Sequence, residues 1–155
     1  MVEALKNAVK MPVVADIHFD YKVALACAEA GVDKIRINGN IGSDEHVREV
    51  ADACRKRGIP IRIGVNGGSL KKHSGQARRR HPRGAVRSAL YHVALLEKHD
   101  FDNIVISIKS SNVPVMMQAY RLLSAQCSYP LHIGVTEAGT YAWGLSNRPW
   151  ALAAF

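Results

Sequence analysis

Side chains that can bind anions or transfer protons stand at the ends of five β-rich runs in this sequence. They are Asp16 and His18, Arg36 and Asn38, Arg62 and Asn66, Lys109, and Glu137. Arginine binds phosphate oxygens through two parallel N–H groups, and lysine binds them as a point charge. The pattern therefore predicts a phosphate or diphosphate site. Within it, Glu137 is the candidate general acid or base, and His18 is a candidate proton carrier or hydrogen-bond donor.

The segments that carry these residues alternate between strand-like and helix-like patterns. Strands are predicted at 12–16, 34–38, 60–65, 103–109 and 130–136, and helices at 20–31, 43–57, 84–99 and 112–127. This alternation indicates a parallel sheet with helices outside it, and polar residues at the end of every strand favour a TIM barrel over a doubly wound sheet. Because a closed barrel needs eight strands and roughly 250 residues, we predict an α/β protein with an incomplete TIM barrel. It would contain about five consecutive βα units with parallel strands.

The composition narrows the classes of partner. No apolar run reaches the ~18–20 residues of a membrane span, so no membrane partner is expected. The formal net charge is +8, but much of the excess lies in 71–87, a run without aromatic residues that could stack on bases. A nucleic-acid partner is therefore not expected. Cys27, Cys54 and Cys127 lie far apart and form no CxxC pair, which is typical of reduced cysteines in a cytosolic protein and predicts no metal site.

Three blocks of the sequence resemble one enzyme family. They are ADIHFDY at 15–21, RIGVNGGSL at 62–70 and HIGVTEAG at 132–139. The combination is similar to the 4-hydroxy-3-methylbut-2-enyl diphosphate synthases of the non-mevalonate route to isoprenoids. The resemblance covers most of positions 1–140.

The resemblance implies a reaction and a set of partners. Members of this family open the ring of 2-C-methyl-D-erythritol 2,4-cyclodiphosphate reductively to give 4-hydroxy-3-methylbut-2-enyl diphosphate. Their TIM barrel is followed by a smaller domain, in which three cysteines and a glutamate hold a 4Fe–4S cluster. Electrons come from ferredoxin or flavodoxin, and the full-length enzyme is expected to be a homodimer in the bacterial cytoplasm or the plastid stroma.

The resemblance also assigns roles to the residues at the strand ends. Arg36, Arg62, Asn66 and Lys109 are expected to bind the diphosphate. The other members of the set line the same mouth of the barrel, namely Asp16, His18 and Asn38. Glu137 is expected to act as the acid or base near the reacting carbons.

The chain departs from the family pattern in three places. Residues 1–140 correspond to part of the barrel, no segment matches the iron–sulfur domain, and the three cysteines do not match the cluster ligands, so we expect this polypeptide alone to be inactive. The loop that begins at Asn38 lacks the proline of the family's N-P-G-N sequence. Segments 76–87 and 141–155 do not fit the family, and we hypothesise that both are frameshifted.

Two other functions are compatible with the residues alone. A pteroate-synthase-like barrel would also bind a diphosphate and would need no cluster. A non-enzymatic module that binds polyanions through 71–87 would explain the basic run.

Overall fold

A computed structural model of the chain describes residues 1–38, 42–66 and 82–134. Its helices are α1 (Val2–Ala8), α2 (Tyr21–Glu29), α3 (Asp44–Arg57), α4 (Pro82–Glu97) and α5 (Val113–Ser124). Its strands are β1 (Val14–Ile17), β2 (Lys34–Asn38), β3 (Ile61–Asn66) and β4 (Ile104–Lys109). The first four strands and all four helices predicted from the sequence are confirmed, with ends that differ by at most three residues.

Local signals explain where α3 begins and ends. The Ser43 hydroxyl accepts a hydrogen bond from the backbone N–H of His46, and the His46 ring accepts one from the backbone N–H of Ser43. These two bonds satisfy donors that the first turn of a helix leaves without partners. At the other end Gly58 adopts a left-handed conformation (φ 66°), which glycine reaches without steric cost.

The strands form one sheet in the order β1-β2-β3-β4, with a helix between every two consecutive strands. This order is that of a segment of a parallel barrel. β1 pairs with β2 in parallel, and the register sets Asp16 opposite Arg36. Residues opposite each other in a ladder point to the same face, so the register alone brings these two side chains together.

The fifth predicted strand, at 130–136, differs from the expectation. Within the described residues it forms a single parallel bridge, between Ile106 and Leu131. Residues 135 and 136 lie outside the described ranges. The next position in the ladder is taken by the Tyr120 hydroxyl, which lies between the Ile108 amide and the His132 carbonyl.

Two compact units make up the chain. The first consists of Met1–Ile63 and His92–Val105, and the second of Gly64–Tyr91 and Ile106–Phe155. The core of the first unit contains alternate residues of β2 and β3 together with small residues of α2 and α3. Its members include Ile35, Ile37, Ile61, Ile63, Ala24, Ala28 and Ala51.

The core of the second unit joins β4 to α5. Its fully buried members include Ile106, Ile108, Met116, Ala119, Tyr120 and Leu123. Tyr120 is the member with a polar group at its tip, and a buried hydroxyl needs hydrogen-bond partners within the protein.

Candidate anion-binding site

The guanidinium of Arg36 is the centre of the candidate site. Its side chain is only 1% exposed. Nη1 donates a hydrogen bond of 2.5 Å to Oδ1 of Asp16 and lies 3.5 Å from Nε2 of His18. The Asp16 and His18 side chains are each about half exposed. The buried Arg36 cation therefore contacts a carboxylate and an imidazole, those of Asp16 and His18, that solvent can reach.

The other edge of the Arg36 guanidinium has no acceptor in the part of the chain that the structure describes. Nε and Nη2 are both buried, and no hydrogen-bond acceptor reaches either atom among residues 1–38, 42–66 and 82–134. Leaving a buried donor without a partner costs about 1–3 kcal/mol, and more for a charged group. Nε and Nη2 form the side-on fork through which arginine binds two oxygens of a carboxylate or phosphate. The edge of Arg36 that is built for an oxyanion is therefore the edge that the described protein leaves open.

Asn38 and Arg62 are the other predicted site residues in the first unit. Asn38 is 8% exposed and lies two positions after Arg36, on the same face of β2. Arg62 alternates with buried Ile61 and Ile63 in β3, so it points away from the isoleucine face of its strand. Asn38 and Arg62 therefore point away from the isoleucine faces of their strands, and their part in the site stays a prediction.

The remaining predicted residues belong to the second unit. Lys109 is the last residue of β4 and is partly buried. Asn66 is the last residue of β3, but its side chain is not among those described. Glu137 lies outside the described residues, as does most of the basic run, from 71 to 81. The structure therefore brings together Asp16, His18 and Arg36, and the joint action of the other residues stays a prediction.

Sequence reasoning missed a pair of rings beside the first unit's site. Tyr21 and His46 stack with their centroids 3.8 Å apart and their planes inclined by 8°. Tyr21 opens α2 shortly after His18, and His46 lies in the first turn of α3 just after the loop that follows Asn38. Only the position of each ring in the first turn of its helix hints at the stack, because the contact joins residues 25 positions apart.

The described residues do not fit a metal cluster. None of the residues in 1–38, 42–66 and 82–134 form a group of three or more histidines, cysteines, aspartates or glutamates able to hold a metal ion. Burial raises the pKa of the Cys54 thiol to about 12, so this sulfur is protonated and a poor metal ligand near neutral pH. A 4Fe–4S cluster therefore has no site in the described residues.

Among the described helices, none is both long enough and apolar enough to cross a membrane.

Comparisons with known proteins identify relatives of this chain. The family model described as the GcpE TIM-barrel domain matches residues 1–155. A 4-hydroxy-3-methylbut-2-en-1-yl diphosphate synthase (flavodoxin) from Ruminiclostridium cellulolyticum is 57% identical over 142 residues, which cover 88% of this chain and 39% of the relative. The protein of the same name from Helicobacter hepaticus is 54% identical over 149 residues, covering 96% of this chain and 42% of the relative. The chain thus spans about two-fifths of the length of these curated relatives.

A solved structure supports the fold. A variant of the carboxyl transferase domain of Rhizobium etli pyruvate carboxylase matches 99% of this chain and 28% of its own, with a TM-score of 0.65 and 14% sequence identity. At this identity the likeness concerns the fold alone. It agrees with the α/β architecture described above.

Proposed function

Because the chain belongs to the GcpE TIM-barrel domain family, we propose that it forms the substrate-binding part of a 4-hydroxy-3-methylbut-2-en-1-yl diphosphate synthase. The substrate would be 2-C-methyl-D-erythritol 2,4-cyclodiphosphate, whose ring the complete enzyme opens reductively in isoprenoid biosynthesis. The observation that carries the proposal is the buried Arg36 guanidinium, whose Nε and Nη2 find no acceptor among the described residues.

The geometry around Arg36 explains how a diphosphate would be held. Two phosphate oxygens would accept hydrogen bonds from Nε and Nη2, and this contact would satisfy buried donors that find no partner in residues 1–38, 42–66 and 82–134. Asp16 holds Nη1 on the opposite side and so fixes the plane of the guanidinium before the ligand arrives. A donor pair that is oriented in advance loses little conformational freedom on binding, which favours affinity.

Asp16 also limits the net charge of the empty site. Its carboxylate balances the arginine when no ligand is present, at a distance where the attraction is strong in a partly buried environment. His18 lies 3.6 Å from the same carboxylate oxygen and is half exposed. It would therefore be able to exchange a proton with solvent and donate a hydrogen bond to the bound anion.

The other predicted residues complete the proposal. Arg62, Asn66 and Lys109 would bind further oxygens of the diphosphate, and Asn38 would line the mouth. Glu137 would act as the acid or base at the reacting carbons. These roles follow from the family resemblance and from the position of each residue at a strand end, and each is open to test by substitution.

The redox part of the reaction would lie outside this chain. We propose that a 4Fe–4S cluster belongs to the part of the relatives that this chain does not span, since the described residues offer no ligand set. The electron donor would be flavodoxin, which the names of the relatives mention, or ferredoxin. The complete enzyme is proposed to be a homodimer in the cytoplasm, and this chain alone would bind substrate without turning it over.

Calorimetric titration of the chain tests the proposed ligand class. We expect the cyclodiphosphate and inorganic pyrophosphate to compete for one site, and we expect methylerythritol without phosphate to show no binding. Substitution of the exposed Arg48 on α3 by methionine serves as a control for loss of one positive charge. The proposal would be overturned if neither diphosphate bound at millimolar concentration. It would also fail if heparin competed equally well and R48M weakened binding as much as R36M, since that result would indicate a general polyanion surface.

A further inference from the structure

The hydrogen-bonded ladder between β4 and the segment after Pro130 includes Ile106 but does not continue to Ile108, the residue before Lys109. The backbone N–H of Ile106 donates to the carbonyl of Pro130 (3.0 Å), and the carbonyl of Ile106 accepts from the N–H of His132 (2.8 Å). Parallel ladders repeat every two residues, so the next hydrogen bond would run from the N–H of Ile108 to the carbonyl of His132.

The hydroxyl of Tyr120 takes that position. The N–H of Ile108 donates to the Tyr120 hydroxyl (2.9 Å), and the hydroxyl lies 2.6 Å from the carbonyl oxygen of His132. The carbonyl oxygen of Ile108 lies 3.0 Å from the same hydroxyl. A tyrosine hydroxyl has one proton to donate and can also accept. It can therefore stand between the Ile108 amide and the His132 carbonyl as a bridge of two hydrogen bonds.

The inserted hydroxyl changes the spacing of the two backbones. A direct ladder bond spans one donor–acceptor distance of about 2.9 Å, whereas the bridge needs two such distances in succession. Tyr120 itself has no freedom to move away, because it is 0% exposed and lies on α5 between the buried residues Ala119 and Leu123. The hydroxyl therefore parts β4 from the following segment at a fixed point.

The choice of tyrosine at this position calls for a reason. Phenylalanine would fill almost the same volume in this apolar core without a polar atom to satisfy, but the Ile108 amide and the His132 carbonyl would then lose the hydroxyl that joins them. Retaining the hydroxyl makes sense if the opening between the two backbones is itself useful. The residue that directly follows the opening is Lys109, the candidate diphosphate ligand of this unit.

We propose that Tyr120 is a positioning residue for Lys109: its hydroxyl, inserted into the ladder, sets the place and direction in which β4 delivers the lysine to the diphosphate. The inference rests on the proposed function, because it assumes that Lys109 binds this ligand. Tyr120 does not touch the ligand. It acts through the backbone of Ile108.

The test is a double-substitution cycle in the full chain, with inorganic pyrophosphate as the probe. Tyr120→Phe should weaken pyrophosphate binding roughly tenfold, the size expected for one misplaced charged contact. Tyr91→Phe removes the same atom from a tyrosine that is 61% exposed on α4, and it should leave the affinity unchanged. In a Lys109→Gln background, Tyr120→Phe should have no further effect, because the residue through which it acts is gone.

The outcomes separate failure of the inference from failure of the function. If K109Q weakens binding and Y120F does not, the inference is overturned and the proposed function stands. If Y120F weakens binding equally with and without Lys109, Tyr120 acts on the fold in general, and the inference is again overturned. If K109Q binds pyrophosphate like the parent, the assignment of Lys109 as a ligand fails, and the inference fails with it.

A measurement on the unsubstituted chain keeps the inference testable should Y120F fail to fold. Couplings through hydrogen bonds, from amide nitrogen to carbonyl carbon, report direct ladder bonds in NMR spectra. We expect such couplings for Ile106 with Pro130 and for His132 with Ile106, and none between Ile108 and His132. A coupling between Ile108 and His132 would show a closed ladder and would overturn the inference.

Discussion

Two buried polar side chains, one in each unit, are treated in opposite ways by the protein around them. Tyr120 has a carbonyl and an amide of the main chain within hydrogen-bonding distance of its hydroxyl, so its polar group is satisfied within the fold. Arg36 has one nitrogen on Asp16, while Nε and Nη2 find no acceptor among the described residues. A satisfied buried group indicates a role in the scaffold, and an unsatisfied buried charge indicates a place for a ligand.

This contrast predicts opposite energetic signatures. Removing the Tyr120 hydroxyl leaves main-chain groups without a partner, so it should reduce stability. Removing the Arg36 guanidinium takes away buried donors that lack partners among the described residues, so it should have little effect on stability and a large effect on binding. The two substitutions therefore separate scaffold from site.

The largest effect is expected for Arg36→Met. Pyrophosphate affinity should fall by about 100-fold or more, since a bidentate charged contact is lost. The free energy of unfolding should stay the same or rise, because methionine fills the space without a buried charge. Calorimetry and urea titration of the same preparation measure both quantities. Loss of stability together with unchanged affinity would reverse the roles assigned to Arg36 and Tyr120.

The next largest effect is expected for Tyr120→Phe, and it concerns the stability of the fold. The free energy of unfolding should decrease by about 1–3 kcal/mol, the cost of leaving the buried Ile108 amide without its acceptor. The control Tyr91→Phe should change it by less than about 0.5 kcal/mol, as is usual for exposed positions. Urea denaturation of the parent chain, Y120F and Y91F measures these differences in the free energy of unfolding. Equal stability of Y120F and the parent would mean that the ladder closes at no cost, and the inserted hydroxyl would then have no structural role.

A smaller effect is expected at Gly42, where the loop after Asn38 meets α3. Gly42 has φ 124°, and a Cβ placed there would lie 2.4 Å from Nδ1 of His46. Gly42→Ala should therefore reduce the free energy of unfolding by about 1–2 kcal/mol through backbone strain and loss of the cap that His46 provides. Gly134→Ala is the matched control, since no atom of the described residues lies within 4 Å of its added Cβ. Thermal denaturation of both variants would show whether the glycine is required, and equal melting temperatures would argue that it is not.

The smallest effect concerns two surface carboxylates. The hydrogen bond from Lys6 and that from the Val13 amide hold the pKa of Asp33 below its ordinary value of 3.8. Hydrogen bonds from Lys98 and His99 lower the pKa of Asp44 in the same way. A lowered pKa in the folded state adds stability that is present above the unfolded pKa and is lost as the pH falls through the folded pKa.

Both carboxylates are exposed, so the expected contribution is small and is screened by salt. Asp33→Asn and Asp44→Asn should each make the free energy of unfolding slightly less dependent on pH below about 4. Urea titrations at neutral and acidic pH compare the variants with the parent chain. A steeper acid dependence in either variant would contradict the assignment of these ion pairs.

Much of the fold follows from local sequence signals. Ser43 and Gly58 mark the ends of α3, and the alternation of isoleucine with arginine in β2 and β3 predicts which residues face away from the core. The pairing of Asp16 with Arg36 is set by the observed register, which the predicted strand bounds 12–16 and 34–38 did not specify. These features depend on the residues nearby in the sequence or in the ladder.

Other features depend on contacts that no local pattern contains. The burial of Arg36 to 1% exposure and the lack of an acceptor at Nε and Nη2 arise from the packing of several segments together. Tyr120 looks like an ordinary core residue of α5, and its position against Ile108 and His132 accounts for the single bridge that the fifth predicted strand forms within the described residues. The roles of Asn66, Lys109 and Glu137 and the proposed frameshifts remain predictions from the sequence.

If the open edge of Arg36 binds a diphosphate, the Nε–H signal of Arg36 in a nitrogen-15 NMR spectrum must respond to that ligand. The signal can be assigned by its loss in R36M. On addition of pyrophosphate we expect the Arg36 Nε–H proton to move downfield and to exchange more slowly with water, while the Nε–H of Arg48 stays in place. An Arg36 signal that does not respond at saturating pyrophosphate would show that Arg36 does not bind the diphosphate.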